Sequence, residues 1–124
     1  MNLEVSDPGS VGAAVRVYAL SLPGAHEDFP WGESVVKVGT KVFVFLGRAG
    51  EGDFGLSVKL PSSARAVLTR PGAVPTAYGL GRAGWVSVSF PAGTTPDLDE
   101  LCAWVRESYR AVAPKRLGAQ VVLP

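Results

Sequence analysis

The feature that most constrains the fold of this chain is a change in the spacing of its apolar residues. From residue 11 to residue 22 they recur at the 3.6-residue period of a helix. Between residues 34 and 60 they form short β-branched or alternating runs, which are typical of strands. The helical period returns between residues 98 and 112. A run of strands between two amphipathic helices predicts an α+β protein.

The predicted order of elements is α-β-β-β-α-β-β-α. Short glycine-containing turns join strands at 34–38, 41–46 and 54–60, and such short connections favour an antiparallel sheet. A short helix after residue 61, a short strand at 76–80 and a strand at 85–90 precede the last helix. We expect a two-layer sandwich, with an antiparallel sheet of about five strands and the helices packed on one face. Residues 1–124 form a single domain, with a core at about 11–114 and a C-terminal tail at 115–124.

Polar residues mark where the two long helices begin. Ser6 or Asp7, followed by Pro8, is suited to cap the first helix. Thr94 or Thr95 has the same role at the last helix, where acidic residues follow in the first turn.

Composition excludes several classes of protein. The longest strongly apolar run, residues 42–46, is far shorter than the roughly 20 residues of a membrane helix. The first twelve residues lack the basic and apolar regions of a signal peptide. The single cysteine, Cys102, cannot form an internal disulfide or a metal cluster. We expect a cytoplasmic protein without a membrane partner.

The charges are unevenly distributed along the chain. The net charge is +1, but residues 1–36 carry one basic and five acidic residues. Residues 37–124 carry eleven basic and six acidic residues. Such asymmetry marks a binding face, unless the two parts interleave in space and their fields cancel. The sequence leaves both alternatives open.

Basic and aromatic residues are interspersed in the predicted sheet and its loops, where Trp31, Tyr78 and Trp85 occur. Sheets that bind nucleic acid combine cations for phosphates with aromatic rings for stacking. The alternative is that the tryptophans pack in the core, with the indole N–H bound to a backbone carbonyl, while the cations form a solvated rim. The candidate nucleic-acid-binding residues are Lys37, Lys41, Lys59, Arg65, Arg70 and Arg82. The first three flank one turn and end the next strand, so we expect them to share a face.

No catalytic constellation emerges. Residues 79–84 match G-x-G-x-x-G, but a strand follows them where a dinucleotide site requires a helix. His26, Glu27 and Asp28 are adjacent, and without a second histidine they favour a structural role over a metal site. Cys102 lies on an apolar stripe and is interpreted as a small buried hydrophobe. We expect a protein that is not an enzyme and has no cofactor and no metal.

Several stretches together resemble the MmcQ/YjbR family, over about residues 11–114. They are residues 20–26 (LSLPGAH), 27–32 (EDFPWG), 36–43 (VKVGTKVF), 56–60 (LSVKL), 75–78 (PTAY), 81–86 (GRAGWV) and the pair Ser108-Tyr109. The resemblance implies a CyaY-like, or secretion-chaperone-like, sheet-and-helix fold. It also implies DNA binding in a double-wing mode, without agreed functional residues.

Three hypotheses for function follow. The first is a non-enzymatic DNA-binding domain that contacts phosphates through lysine and arginine. The alternative is a protein–protein interaction module or a homodimeric chaperone-like domain, which would use an exposed strand edge and residues 117–124. The third is an enzyme or small-ligand binder that uses the loop at 27–32 beside Trp85.

Overall fold

The computed structural model of the protein describes residues 7–47 and 53–121. These residues confirm the predicted α+β class: an antiparallel sheet of six strands carries helices on one face. The strands are β1 (Ala25–Asp28), β2 (Ser34–Val38), β3 (Lys41–Gly47), β4 (Phe54–Lys59), β5 (Ala73–Pro75) and β6 (Trp85–Phe90). The helices are α1 (Pro8–Leu20), α2 (Ala64–Val67), α3 (Leu98–Val112) and α4 (Lys115–Gly118). Across the sheet the strand order is β1-β2-β3-β4-β6-β5.

Helix α1 begins where the sequence predicts. The side chain of Asp7 accepts a 2.7 Å hydrogen bond from the backbone N–H of Ser10, and Pro8 occupies the first turn. Val11, Val15 and Ala19 are fully buried against the sheet and α3. The helical spacing of these three residues therefore fixes which face of α1 meets the core.

Helix α3 begins later than expected, because its cap is Asp97 and not Thr94 or Thr95. The Asp97 carboxylate accepts hydrogen bonds from the backbone N–H groups of Asp99 and Glu100. A carboxylate at this position also interacts favourably with the positive end of the helix dipole. The buried stripe of α3 consists of Leu101, Trp104, Val105, Ser108 and Tyr109.

The two faces of the sheet differ in chemistry. Val36, Val44 and Val58 belong to the core cluster and point towards the helices. The opposite surface, here called the open face, presents the residues between them, such as Phe45 and Ser57. The core is therefore built from one side of every central strand.

A bulge in β3 changes which residues reach the open face. Val36 pairs with Val44 and Lys37 pairs with Val42, so Phe43 is an extra residue without a partner in β2. Phe43 and Val44 are both fully buried in the core. A bulge of this kind bends the strand and moves the preceding residue, Val42, to the other face.

Two strands differ from the predicted set. The predicted order has no strand at Ala25–Asp28, but this segment pairs along its whole length with β2 and becomes an edge strand. The predicted strand at 76–80 is wrong, because the residues that pair with β6 are Ala73–Pro75. Residues 76–84 instead turn back through Gly79 and Gly84, which both have positive φ.

The end of the described chain is docked on the domain, although the sequence suggests a tail there. Residues 115–118 form α4, and Val121 is 7% exposed within the core cluster. Along the described residues, no helix has both the length and the apolar character needed to span a membrane.

Candidate nucleic-acid interface

Strand register decides which of the predicted cations share a surface. Lys37 pairs with Val42 on the open face, whereas Lys41 pairs with Val38, which points into the core. Lys59 lies between the core residues Val58 and Leu60 and therefore points to the open face. The expectation that all three lysines share a face is wrong for Lys41, because directly opposed residues lie on the same side of a sheet.

Two of the six predicted cations are held in ion pairs. The Lys37 ammonium lies 3.0 Å from the carboxylate of Asp28, and this hydrogen bond holds the pKa of Asp28 below its usual value. Arg70 forms an ion pair with Glu100 and also stacks over the ring of Trp104, 5.1 Å from its centre. Arg70 therefore serves to join α3 to the chain after α2.

The remaining predicted cations lie near one end of the domain. Lys41 begins β3 and Lys59 ends the antiparallel β4, so both belong to the same end of the sheet. Lys59 faces Trp85 across the β4–β6 ladder, which brings Arg82 to this end as well. Arg65 is exposed on α2, soon after β4 ends.

Cations from the helical layer join them. Arg110 lies in the last turn of α3, two residues beyond a serine that bonds to the backbone of Lys59. Lys115 and Arg116 follow in α4. We call this surface the basic end and define it as Lys41, Lys59, Arg65, Arg82, Arg110, Lys115 and Arg116. Within the described part of the chain, none of these seven forms an ion pair.

The opposite end of the domain carries carboxylates. Glu33 and Asp53 lie where β2 and β4 begin, and Asp97 and Asp99 lie at the start of α3. The helix dipole accounts for the charges at the two ends of α3. It does not account for Lys41 and Lys59 in the sheet or for Arg82 in the turn before β6, so these three residues are the main support for a binding surface.

A concave groove of about 1060 Å³ lies on the open face. Its floor contains hydroxyl groups: Ser57 and Ser87 are 2.6 Å apart, and Thr76 lies 2.9 Å from Ser87. Phe45 lines one side, and its ring meets that of Trp85 at 66° with the centres 5.4 Å apart. The sequence signal for this groove is the alternation of small polar residues with apolar ones in β4 and β6.

Residues 76–84 form the rim of the groove and cover part of the open face. Gly79 and Gly84 flank the turn Leu80–Ala83 with φ values of +80° and +92°. These conformations, which L-residues avoid, explain the first and third glycines of the G-x-G-x-x-G match without a phosphate. Tyr78 is fully exposed beside the groove and also has a positive φ, of 62°.

Trp85 is buried, as predicted by the alternative in which the tryptophans are packing residues and not stacking surfaces. It is 8% exposed on the open face, where its ring contacts that of Phe45. The expected backbone partner of its indole N–H is not found among residues 7–47 and 53–121. Trp31 lies in the turn Pro30–Gly32, and its side chain falls outside the described part of the structure.

The acidic pair beside His26 is divided between the two faces. Glu27 points towards α1, where Arg16 donates hydrogen bonds of 2.7 and 2.5 Å to its two carboxylate oxygens. These bonds lower the pKa of Glu27, and Ser34 adds a further donor at 2.5 Å. Asp28 lies on the open face with Lys37. Among the described residues, no three histidine, cysteine or acidic side chains gather as metal ligands.

Cys102 is partly exposed on α3, one position away from the buried stripe. Desolvation raises the pKa of its thiol. A thiol with a raised pKa is a poor nucleophile at neutral pH.

Comparisons with known proteins identify the family. A crystal structure of protein DR2400 from Deinococcus radiodurans, with the family-model domain DUF419, is similar with a TM-score of 0.67 and 25% sequence identity. That match covers 90% of this chain and 88% of the other. No curated protein matches the sequence. The YjbR family model matches residues 20–111, and the chain therefore belongs to the YjbR family.

Proposed function

We propose that this protein is a non-enzymatic DNA-binding domain that contacts phosphates through its basic end. The observation that supports this most directly is the set of seven cations without ion pairs at one end of the sheet and helices. Cations that neutralise phosphates release counterions, and this release drives sequence-independent binding.

The phosphate contacts that we propose differ from the six residues predicted from the sequence. Lys41, Lys59, Arg65 and Arg82 remain as phosphate contacts. Lys37 contributes less, because Asp28 neutralises it. Arg70 is not among the proposed phosphate contacts, because its guanidinium is held by Glu100 and Trp104 at the other end of the domain.

A salt titration tests the proposal. Labelled DNA, offered both as a duplex and as a single strand, is titrated by fluorescence polarisation at about 50 and 200 mM salt. The four phosphate contacts Lys41, Lys59, Arg65 and Arg82 predict a slope of about −3.6 for log affinity against log salt on duplex DNA, which is a loss of about 150-fold over this range. Failure of both DNAs to bind at the lower salt concentration contradicts the proposal.

Charge variants then locate the surface. Lys59→Gln and Arg82→Gln are expected to weaken binding and to reduce the salt slope by about 1 each. Arg70→Gln is the matched control, because it removes the same charge from the opposite end of the domain. Equal losses for Arg70→Gln and Arg82→Gln would show that net charge, not the basic end, determines binding.

Protein–protein interaction remains the second candidate. Val121 is buried on the domain, so the chain up to residue 121 is not a free tail that could bind a partner. The edge strand β1 still has an unpaired edge in the described sheet. Light scattering tests the homodimer form of this idea, for which a dimer mass at micromolar concentration is the expected result.

A further inference from the structure

An exposed tyrosine in a rarely adopted conformation lies at the rim of the groove. Tyr78 is 100% exposed, and its φ of 62° is uncommon for a residue other than glycine. Its hydroxyl has no hydrogen bond among the described residues. The ring therefore does not stabilise the fold, and a ligand can reach its surface.

The groove beside Tyr78 is chemically suited to a flat ring with polar edges. Its volume, about 1060 Å³, is slightly above the roughly 300–1,000 Å³ usual for small-ligand pockets. Phe45 and Leu80 supply apolar walls. The hydroxyls of Ser57 and Ser87 can each donate or accept, so they tolerate different patterns of donors and acceptors on a ligand.

Acidic residues that line one end of the groove and basic residues beyond its other end set a direction for an anionic ligand. Lys59 points to the open face two residues beyond Ser57, and Arg82 follows in the rim segment. Glu33 and Asp53 line the groove at its other end. A polyanion is therefore attracted towards Lys59 and Arg82, while only its uncharged parts are accepted deeper in the groove.

We propose that Tyr78 and the groove bind an unpaired nucleobase, so that the protein prefers single-stranded to duplex nucleic acid. This inference rests on the proposed function and specifies its ligand. The bases of a duplex are stacked and paired, and they cannot lie on Tyr78 without being unpaired. The base of a single strand can stack on the ring while its phosphates meet Lys59 and Arg82.

Three variants test the inference against the parent protein. Polarisation titrations use a labelled oligothymidine and a duplex of equal length at about 50 mM salt. Tyr78→Ala is expected to weaken oligothymidine binding at least about fivefold, since each base stacked on an aromatic ring contributes that much or more. Duplex binding is expected to stay unchanged. Tyr78→Phe keeps the ring and is expected to keep the parent affinity, whereas Phe29→Ala removes an exposed aromatic ring that does not line the groove and is the control.

Salt dependence separates stacking from phosphate contact. Tyr78→Ala removes no charge and is expected to leave the salt slope of the single strand unchanged, whereas Arg82→Gln reduces it. Tighter binding to the duplex, or equal single-strand affinity of Tyr78→Ala and the parent, overturns the inference and leaves the proposed function intact. Loss in Tyr78→Phe as large as in Tyr78→Ala also overturns it, because the ring would then not be the binding element. If neither DNA binds to the parent, the proposed function itself fails.

Discussion

The hydroxyl of Ser108 donates a 2.5 Å hydrogen bond to the carbonyl oxygen of Phe43. The hydroxyl oxygen of Ser108 in turn accepts a 2.8 Å bond from the backbone N–H of Lys59. The register of β3 and β4 places Phe43 opposite Lys59, but their pairing ends one residue earlier, at Val44. A fully buried side chain from α3 therefore replaces the strand-to-strand bond that the bulge prevents.

Replacement of Ser108 by alanine is expected to destabilise the fold by about 2 kcal/mol or more. The change leaves a buried carbonyl and a partly buried N–H without partners, and each such group costs about 1–3 kcal/mol. Urea unfolding followed by circular dichroism measures the effect. Ser89→Ala is the matched control, because Ser89 is exposed on β6 and its loss is expected to change stability by less than about 0.5 kcal/mol. Equal midpoints for the two variants would contradict the role given to Ser108.

The neighbouring Tyr109 completes this junction. Its hydroxyl donates a 2.5 Å bond to the carbonyl oxygen of Pro23, and its ring meets that of Phe43 edge-on at 5.1 Å. The Ser108-Tyr109 pair that contributes to the family resemblance thus has a structural explanation. It fixes α3 to the sheet at the bulge and to the end of α1.

The ion pair between Arg16 and Glu27 predicts a dependence of stability on pH. The pKa of Glu27 lies below its ordinary value of 4.5 in the folded protein, chiefly because of the hydrogen bonds from Arg16. The pair's contribution is therefore fully present above about pH 4.5 and is lost as the pH falls through the lower folded value.

Arg16→Met removes the partner of Glu27 and is expected to lower stability at neutral pH. The Arg16 side chain is 46% exposed, so solvent screening limits the loss to about 1 kcal/mol or less. Urea midpoints of parent and variant are expected to differ at pH 7 and to converge at the acidic limit. Lys37→Met, which breaks the more exposed pair with Asp28, is the control. A difference between the urea midpoints of the parent and Arg16→Met that grows on acidification would contradict the assignment of this pH dependence to the Arg16–Glu27 pair.

Trp85→Ala is expected to lower stability by about 3–5 kcal/mol, the usual loss when a buried aromatic is truncated. The ring is buried against Phe45, on the face of the sheet away from the main core. Tyr78→Ala, from the same segment, is expected to stay within about 0.5 kcal/mol of the parent, because Tyr78 is fully exposed. Thermal melts of both variants decide whether the two aromatics divide into a structural one and a surface one.

The sequence predicts most of this fold because most of its elements bury a periodic face. Val11, Val15 and Ala19 indicate α1, and the alternation in β4 indicates a half-buried strand. Strand β1 has no such pattern, because Ala25–Asp28 carries three polar residues. Its pairing with β2 and the contact from Arg16 to Glu27 hold it in the sheet, and neither partner can be identified from the residues of the strand itself.

The candidate site was less predictable for a related reason. Residue type identifies Lys41 as a cation, but the strand register that determines its face depends on a bulge at Phe43. One extra residue moves every later side chain to the other face of a strand. The groove is harder still to predict, since Phe45, Ser57 and Tyr78 come together only through the order of strands in the sheet.

Gly72 offers a last test, of how closely the chain approaches β6. Its φ is +82°, and a Cβ atom at this position would lie 2.7 Å from the carbonyl oxygen of Ser89. That carbonyl belongs to the backbone of β6, and the N–H of Ser89 bonds to the Gly72 carbonyl at 3.0 Å. Gly72→Ala therefore forces either a strained conformation with a steric clash or a separation of the chain from β6.

The expected loss for Gly72→Ala is about 2–4 kcal/mol, because strain of roughly 1–3 kcal/mol adds to the clash. Gly93→Ala separates the contribution of conformational strain from that of the clash. Gly93 has a similar φ of +93°, but a Cβ atom there would contact nothing within 4 Å, so that variant measures the conformational strain alone. Urea unfolding of both variants gives the contribution of the clash as their difference. If Gly72→Ala is no less stable than Gly93→Ala, the residues before β5 can move away from β6 without loss, and the close approach at Gly72 does not stabilise the sheet.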